Sequence, residues 1–235
     1  MGAHVALELP QPELAPADLT PAVVALAPRE EFCDPRFRAL LPQKEWDALP
    51  LSIRRRFSKR LAGDASAVYG GEVLETRISR AGWLLAQAAR LVGAPLPLPL
   101  TRSAHAAAVV TVTEDKVDGG QVWTRVYARR NGFPQVVHSA KRFAGPTGLE
   151  EYLGCGCGIA LAVYVREGAL IFRSVGYFIK IFGRRVMLPD WLSPGVMYVT
   201  HAELPDQKFS FTLQLFHPRL GLLMRQMAVF REIRP

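Results

Sequence analysis

Two short clusters have the residue types for chemistry. His201 and Glu203 stand two apart in a segment that reads as a strand, so their side chains share a face. An imidazole beside a carboxylate can act as an acid–base couple, and these two are the weak candidates for a catalytic pair; a satisfied polar contact would leave the same pattern. Whether the chain is an enzyme stays open, with binding as the leading expectation. Cys155-Gly156-Cys157 has a single residue between its thiols, closer than zinc ligand pairs usually stand, and the remaining cysteine is Cys33. His138, His201 and His217 fall in separate strands without paired spacing. No metal site is expected, and a disulfide across one residue would be strained. Glu150-Glu151 is a carboxylate pair in sequence, but neighbours on a strand point to opposite faces. The chain carries no Gly-x-Ser-x-Gly elbow, no Walker-type phosphate loop and no dinucleotide fingerprint, so no cofactor is expected.

A third cluster mixes rings with cations. Trp123, Arg125 and Tyr127 share one strand face; Lys141 and Phe143 share a face one hairpin later, with Arg142 on the opposite one. Inside a curved sheet, such a set suits an amphipathic anion, its acid head on arginine and its tail over apolar wall. Trp123, Arg125, Tyr127, Lys141, Arg142 and Phe143 are therefore the candidate ligand-binding residues, with Trp123 and Arg125 near the mouth. On an outer face the same set would be cation–π decoration of the surface, or would meet nucleic acid, which is not the expected partner.

These residues must be positioned by strands. Gly158 to Pro189 holds apolar, β-branched runs around Arg166-Glu167-Gly168, and predicts a central hairpin whose loop has one residue at positive φ, with a further strand after Gly176. Both faces of Ile159 to Val165 are apolar, so both are expected to be covered. From Ala107 onward, short alternating segments are separated by turn residues, and eight or nine strands are predicted. The expected fold is α+β: an antiparallel meander curled into a barrel or half-barrel, lipocalin-like or helix-grip-like, with N-terminal helices packed on it.

Upstream, residues 1–31 form an Ala/Pro-rich leader expected to be flexible, and 32–235 a single domain. Asp34-Pro35 predicts a short helix stopped by Pro42. A second helix is predicted over 49–63, with Ile53, Phe57 and Leu61 as its apolar stripe. Arg54, Arg55, Arg56, Lys59 and Arg60 surround that stripe, and such a helix either lies on an anionic membrane or is solvated with its stripe in the core. Gly70-Gly71 reads as a break, 72–79 as a half-buried strand, and 83–92 as a well-buried helix. Pro95, Pro97 and Pro99 impose an extended spacer.

The chain has 235 residues, 49% hydrophobic, enough for a substantial core. The net charge of +8 favours acidic partners. Three cysteines argue against a disulfide framework and for a reducing compartment, so a cytoplasmic location, with peripheral membrane contact as an option, is expected. No signal peptide pattern is read, and no apolar run is long enough for a transmembrane helix.

The order GWLLAQAARLVGAPLPLP, VWTRVYARR, HSAKRF, then GIALAVYVREGALIFRSVGYFIKIFGRRVMLPDWLSP, closed by His217-Pro218 and Gly221, resembles a bacterial domain family of unknown function. That family is also found fused to the C-terminus of saccharopine-dehydrogenase-like or short-chain reductases. The resemblance covers roughly residues 36 to 233 and implies a setting beside a reductase, not a reaction. Two functions are thus expected in competition: a non-catalytic binding domain for a lipid or other apolar acid, and an accessory module for an oxidoreductase or a membrane-associated enzyme.

Overall fold

Inside–outside alternation, clearest over 106–114, 135–142 and 196–203, decides the architecture. The computed structural model describes residues 34–63, 65–91, 105–129 and 132–233; the leader and the Leu-Pro spacer lie outside these. Among the described residues there are eleven strands: β1 (Ala67–Ile78), β2 (Ala106–Glu114), β3 (Gln121–Tyr127), β4 (Gln135–Arg142), β5 (Glu150–Gly154), β6 (Cys157–Arg166), β7 (Ala169–Ile181), β8 (Arg184–Met187), β9 (Val196–Glu203), β10 (Lys208–His217) and β11 (Gly221–Ile233). Their order is β6-β5-β4-β3-β2-β1-β11-β10-β9-β7-β8, and β6 also pairs with β7. Ten strands therefore close an antiparallel barrel, and β8 hangs outside the ring on the far half of β7. Closure leaves the ten barrel strands without a free edge between them.

In β2, Ala106, Ala108, Val110 and Val112 point inward, and in β4 Gln135, Val137, Ser139 and Lys141 do. Ile159, Leu161, Leu170, Phe172, Met197, Val199, Phe209, Phe211, Leu215, Ala228 and Phe230 complete the apolar lining.

The two ends of the barrel are covered differently. One end is closed by α1 (Gln43–Ala48) and α2 (Leu51–Phe57), each entered directly after a proline, Pro42 and Pro50. Phe37, Trp46, Leu49, Ile53, Phe57 and Leu61 are all buried beneath them. The expected stripe Ile53-Phe57-Leu61 is thus the barrel's plug. The other end carries α3 (Arg80–Leu91), the β3–β4 and β10–β11 turns and the tip of the β7–β8 hairpin.

Several local expectations are corrected. The segment after Asp34-Pro35 is a turn and a 3-10 helix, Arg38–Leu40, because Asp34 pairs with Arg36 instead of capping a longer helix. α1 was not foreseen, and α2 stops at Phe57. Gly70-Gly71 does not break the chain but lies within β1. A Cβ on Gly71 would stand 1.9 Å from the Val229 carbonyl oxygen, so only glycine lets β1 approach β11 there. β7 runs straight through Gly176, which pairs with Ala160. The β6–β7 loop has two residues at positive φ, Glu167 (53°) and Gly168 (72°). α3 is not well buried: Trp83, Leu84 and Leu91 are exposed, and Gly82 and Ala86 make its tight contacts.

Candidate functional site

Alternation in β3 turns Trp123, Arg125 and Tyr127 inward, and alternation in β4 turns Ser139 and Lys141 toward them. β5 supplies the carboxylate that holds this group. Glu151 Oε2 lies 3.0 Å from Lys141 Nζ, Ser139 Oγ donates to Glu151 Oε1 at 2.6 Å, and Arg125 Nη2 stands 3.8 Å from the same oxygen. Arg125 Nη1 also donates to Ser139 Oγ at 3.2 Å. The ammonium of Lys141 is 5.3 Å from the ring centroids of both Trp123 and Phe172, a cation–π contact on two sides.

Burial pushes the Glu151 carboxyl up, but Lys141, Arg125 and the two hydrogen bonds outweigh it and hold it down at about 2. Burial pulls the Lys141 ammonium below its ordinary value, and the Glu151 carboxylate offsets part of that.

From the plugged end, α2 adds Arg56. Its guanidinium lies 3.6 Å above the Phe209 ring and 3.8 Å from Glu203. Inside the barrel, three cations (Arg56, Arg125, Lys141) therefore face two carboxylates (Glu151, Glu203). Four buried polar atoms here lack a hydrogen-bond partner: Arg56 Nη1, Trp123 Nε1, His201 Nδ1 and Glu203 Oε2. Unpaired buried donors are costly and call for a ligand or a water.

His201 sits in a cage of rings, with Phe57 at 5.1 Å, Phe211 at 5.4 Å, Phe172 at 5.9 Å and Phe209 stacked at 6.2 Å. Burial, and then the charges of Arg56, Lys141 and Arg125, hold its imidazole well below the ordinary value, so it is neutral at pH 7. Glu203 lies toward the plug and is held by Arg56.

The site residues expected from sequence thus divide. Trp123, Arg125, Tyr127, Lys141 and His201 meet inside the barrel. Phe143 packs at the plugged end, 4.9 Å from Phe37. Arg142 is on the outer wall, bound to Asp115 at 3.0 Å and Asp118 at 2.7 Å and 4.2 Å above Tyr152. Tyr127 donates to Gln226 Oε1 at 3.1 Å. Of the cations in and just after α2, Arg54 lies 3.8 Å from Asp47, Lys59 pairs with Glu232, and Arg56 turns inward.

The interior is not the open greasy cavity that the sequence suggested. The void bounded by Arg56, Trp123, Arg125, His201, Phe209 and Phe211 measures about 10 Å³, room for roughly one water. Trp123 and Arg125 are not at a mouth either, because the Phe57 ring covers Trp123 at 6.4 Å. A larger hollow of about 450 Å³ lies on the outer wall beside Gly70, Gly71, Glu72, His105, Lys208 and Arg231.

Sequence reasoning missed Glu151 as an interior group because β5 is too short to show a period. It missed Arg56 because that residue reads as one more cation on a basic helix.

A closed antiparallel barrel, plugged by a short helix and lined by rings around a buried group of cations, defines the class of this protein. The chain belongs to the family described as Domain of unknown function (DUF4166), which matches residues 49–230. No curated protein and no solved structure matches it.

Proposed function

We propose that the barrel is a non-catalytic binding domain for an apolar acid, such as a lipid with an anionic head. The observation that carries this reading is the surplus of positive charge next to unpaired donors: Arg56 Nη1 and Trp123 Nε1, beside Arg125 and Lys141, in a chamber otherwise lined by rings. An anion there would accept the free N–H groups and balance the extra cation, at about 1.5–3 kcal/mol for each hydrogen bond to a charged group. Phe57 fills the space an apolar tail would take, and α2 must swing aside to admit it. Exposing a ring of that size costs about 2–3 kcal/mol, and the buried tail offsets this at about 25 cal/mol per Å². His201, neutral and caged by rings, contributes an uncharged polar contact.

Native mass spectrometry of protein isolated gently from its host tests the reading. The expected spectrum carries an apolar, acidic adduct that is lost on solvent extraction. A spectrum of apo mass alone, together with no uptake of a fluorescent fatty acid, overturns it.

A further inference from the structure

Leu51, Val117 and Ile233 are exposed at the plugged end, but the barrel end opposite the α2 plug gathers most of the exposed large apolar side chains. Its protruding parts carry large apolar side chains in water: Phe133 in the β3–β4 turn, Ile181 and Phe182 at the β7–β8 tip, Trp191 and Leu192 after β8, Leu220 in the β10–β11 turn, and Trp83, Leu84 and Leu91 on α3. Phe182 is 101% exposed and Phe133 91%. Apolar groups on turn tips do not serve the core, and grouped exposure of this kind marks a contact surface.

Phe182 carries the argument further. It occupies the first position of a two-residue turn between Ile181 and Arg184, with φ of 48°, followed by Gly183 at 75°. Such turns favour Asn, Asp or Gly, which accept positive φ at little cost. A phenylalanine there is strained and fully solvated, with no folded-state contact to offset either cost. Strain of this sort is kept where the side chain has work outside the fold.

The charge around these rings is one-sided. Arg80, Arg90, Arg129, Arg184 and Arg219 are exposed at this end, and Lys180 stands beside the tip, 5.3 Å over Tyr152. Arg185 is held by Glu150. The acidic groups facing them are Asp190, which is exposed, and Glu75, which lies between Arg77 and Arg225. Rings on turn tips encircled by arginine fit the boundary of an anionic bilayer, where aromatic residues settle among head groups and each nearby cation adds to the attraction.

We infer that this end of the barrel docks onto an anionic lipid bilayer, with Phe182 and Trp191 entering the head-group layer and the exposed arginines meeting lipid phosphates. The inference stands whether or not the chamber binds an acid.

The test is co-sedimentation of the full chain with phosphatidylcholine vesicles, with and without phosphatidylglycerol, alongside sedimentation velocity without lipid. Wild type is expected to pellet with the anionic vesicles, to stay in solution with the neutral ones, and to be released by salt. F182S/W191S is expected to bind at least about tenfold more weakly, and R184E/R219E similarly. These side chains are solvated, so the variants should keep the wild-type melting temperature, which the same preparation checks. Equal pelleting of wild type and both variants overturns the inference. So does wild type that ignores anionic vesicles, including where it self-associates through these rings in sedimentation velocity instead.

Discussion

Lys141 Nζ and Glu151 Oε2 lie 3.0 Å apart with both side chains shut inside the barrel wall, Lys141 at 2% exposure and Glu151 at 7%. The pair joins β4 to β5, where Lys141 is opposite Glu151 in the ladder. Glu151 also anchors Ser139 and stands beside Arg125, so the one carboxylate organises the whole interior cluster. Removing one partner leaves the other charge buried. K141M is expected to lose about 3–5 kcal/mol of unfolding free energy, while K141M/E151M should lose far less than the sum of the single changes. Urea unfolding of the four proteins of this cycle checks the expectation, and additive losses would refute it.

Acid should weaken the fold through the same carboxylate. Its folded value of about 2 lies below the ordinary 4.5, so its contribution is whole above about pH 4.5 and is lost as the pH falls toward 2. The contribution is roughly 3 kcal/mol. Thermal melts from pH 6 to pH 2.5 should show a falling limb that is much shallower in E151Q. An unchanged limb would show that other carboxylates govern acid unfolding.

Phe57 is both plug and filler. F57A is expected to destabilise the protein by about 3–5 kcal/mol, as large-to-small changes in cores do. The same variant should take up a fluorescent fatty acid faster than wild type, because the ring over Trp123 is gone. Stopped-flow uptake checks this, and slower or unchanged uptake would separate the plug from ligand entry.

Gly71 has no room for a methyl group. G71A would press its Cβ on the Val229 carbonyl and the Phe230 Cα, both backbone atoms that cannot turn aside. A loss of about 3 kcal/mol is expected, the upper range for overpacking. G120A provides a second case against the Lys141 carbonyl. Wild-type melting temperatures for both would contradict the strand spacing described.

The barrel was legible where alternation is long. β2, β4, β9 and β10 each run through several inward residues, so their period of two shows in the sequence. The shared face of Trp123, Arg125 and Tyr127, and the opposite placement of Arg142 and Lys141, followed from that period alone. β5 escaped because five residues hold too few alternations, and with it the role of Glu151. The extent of β1 escaped because two glycines read as a turn when their neighbours in β11 are unknown. The exposure of α3 escaped because a helix apolar nearly all round reads as buried, whatever it packs on. The filled interior was not legible at all: Phe57 belongs to a distant helix, and nothing local says that its ring enters the barrel.

Calorimetric titration of the protein with a long-chain fatty acid and with the alcohol of the same chain tests the central claim most directly. The acid is expected to bind at least about tenfold more tightly than the alcohol, and R125M should erase that preference while leaving alcohol binding in place. Failure of both to bind, or equal affinity for the two in wild type, would contradict an anion-selective chamber.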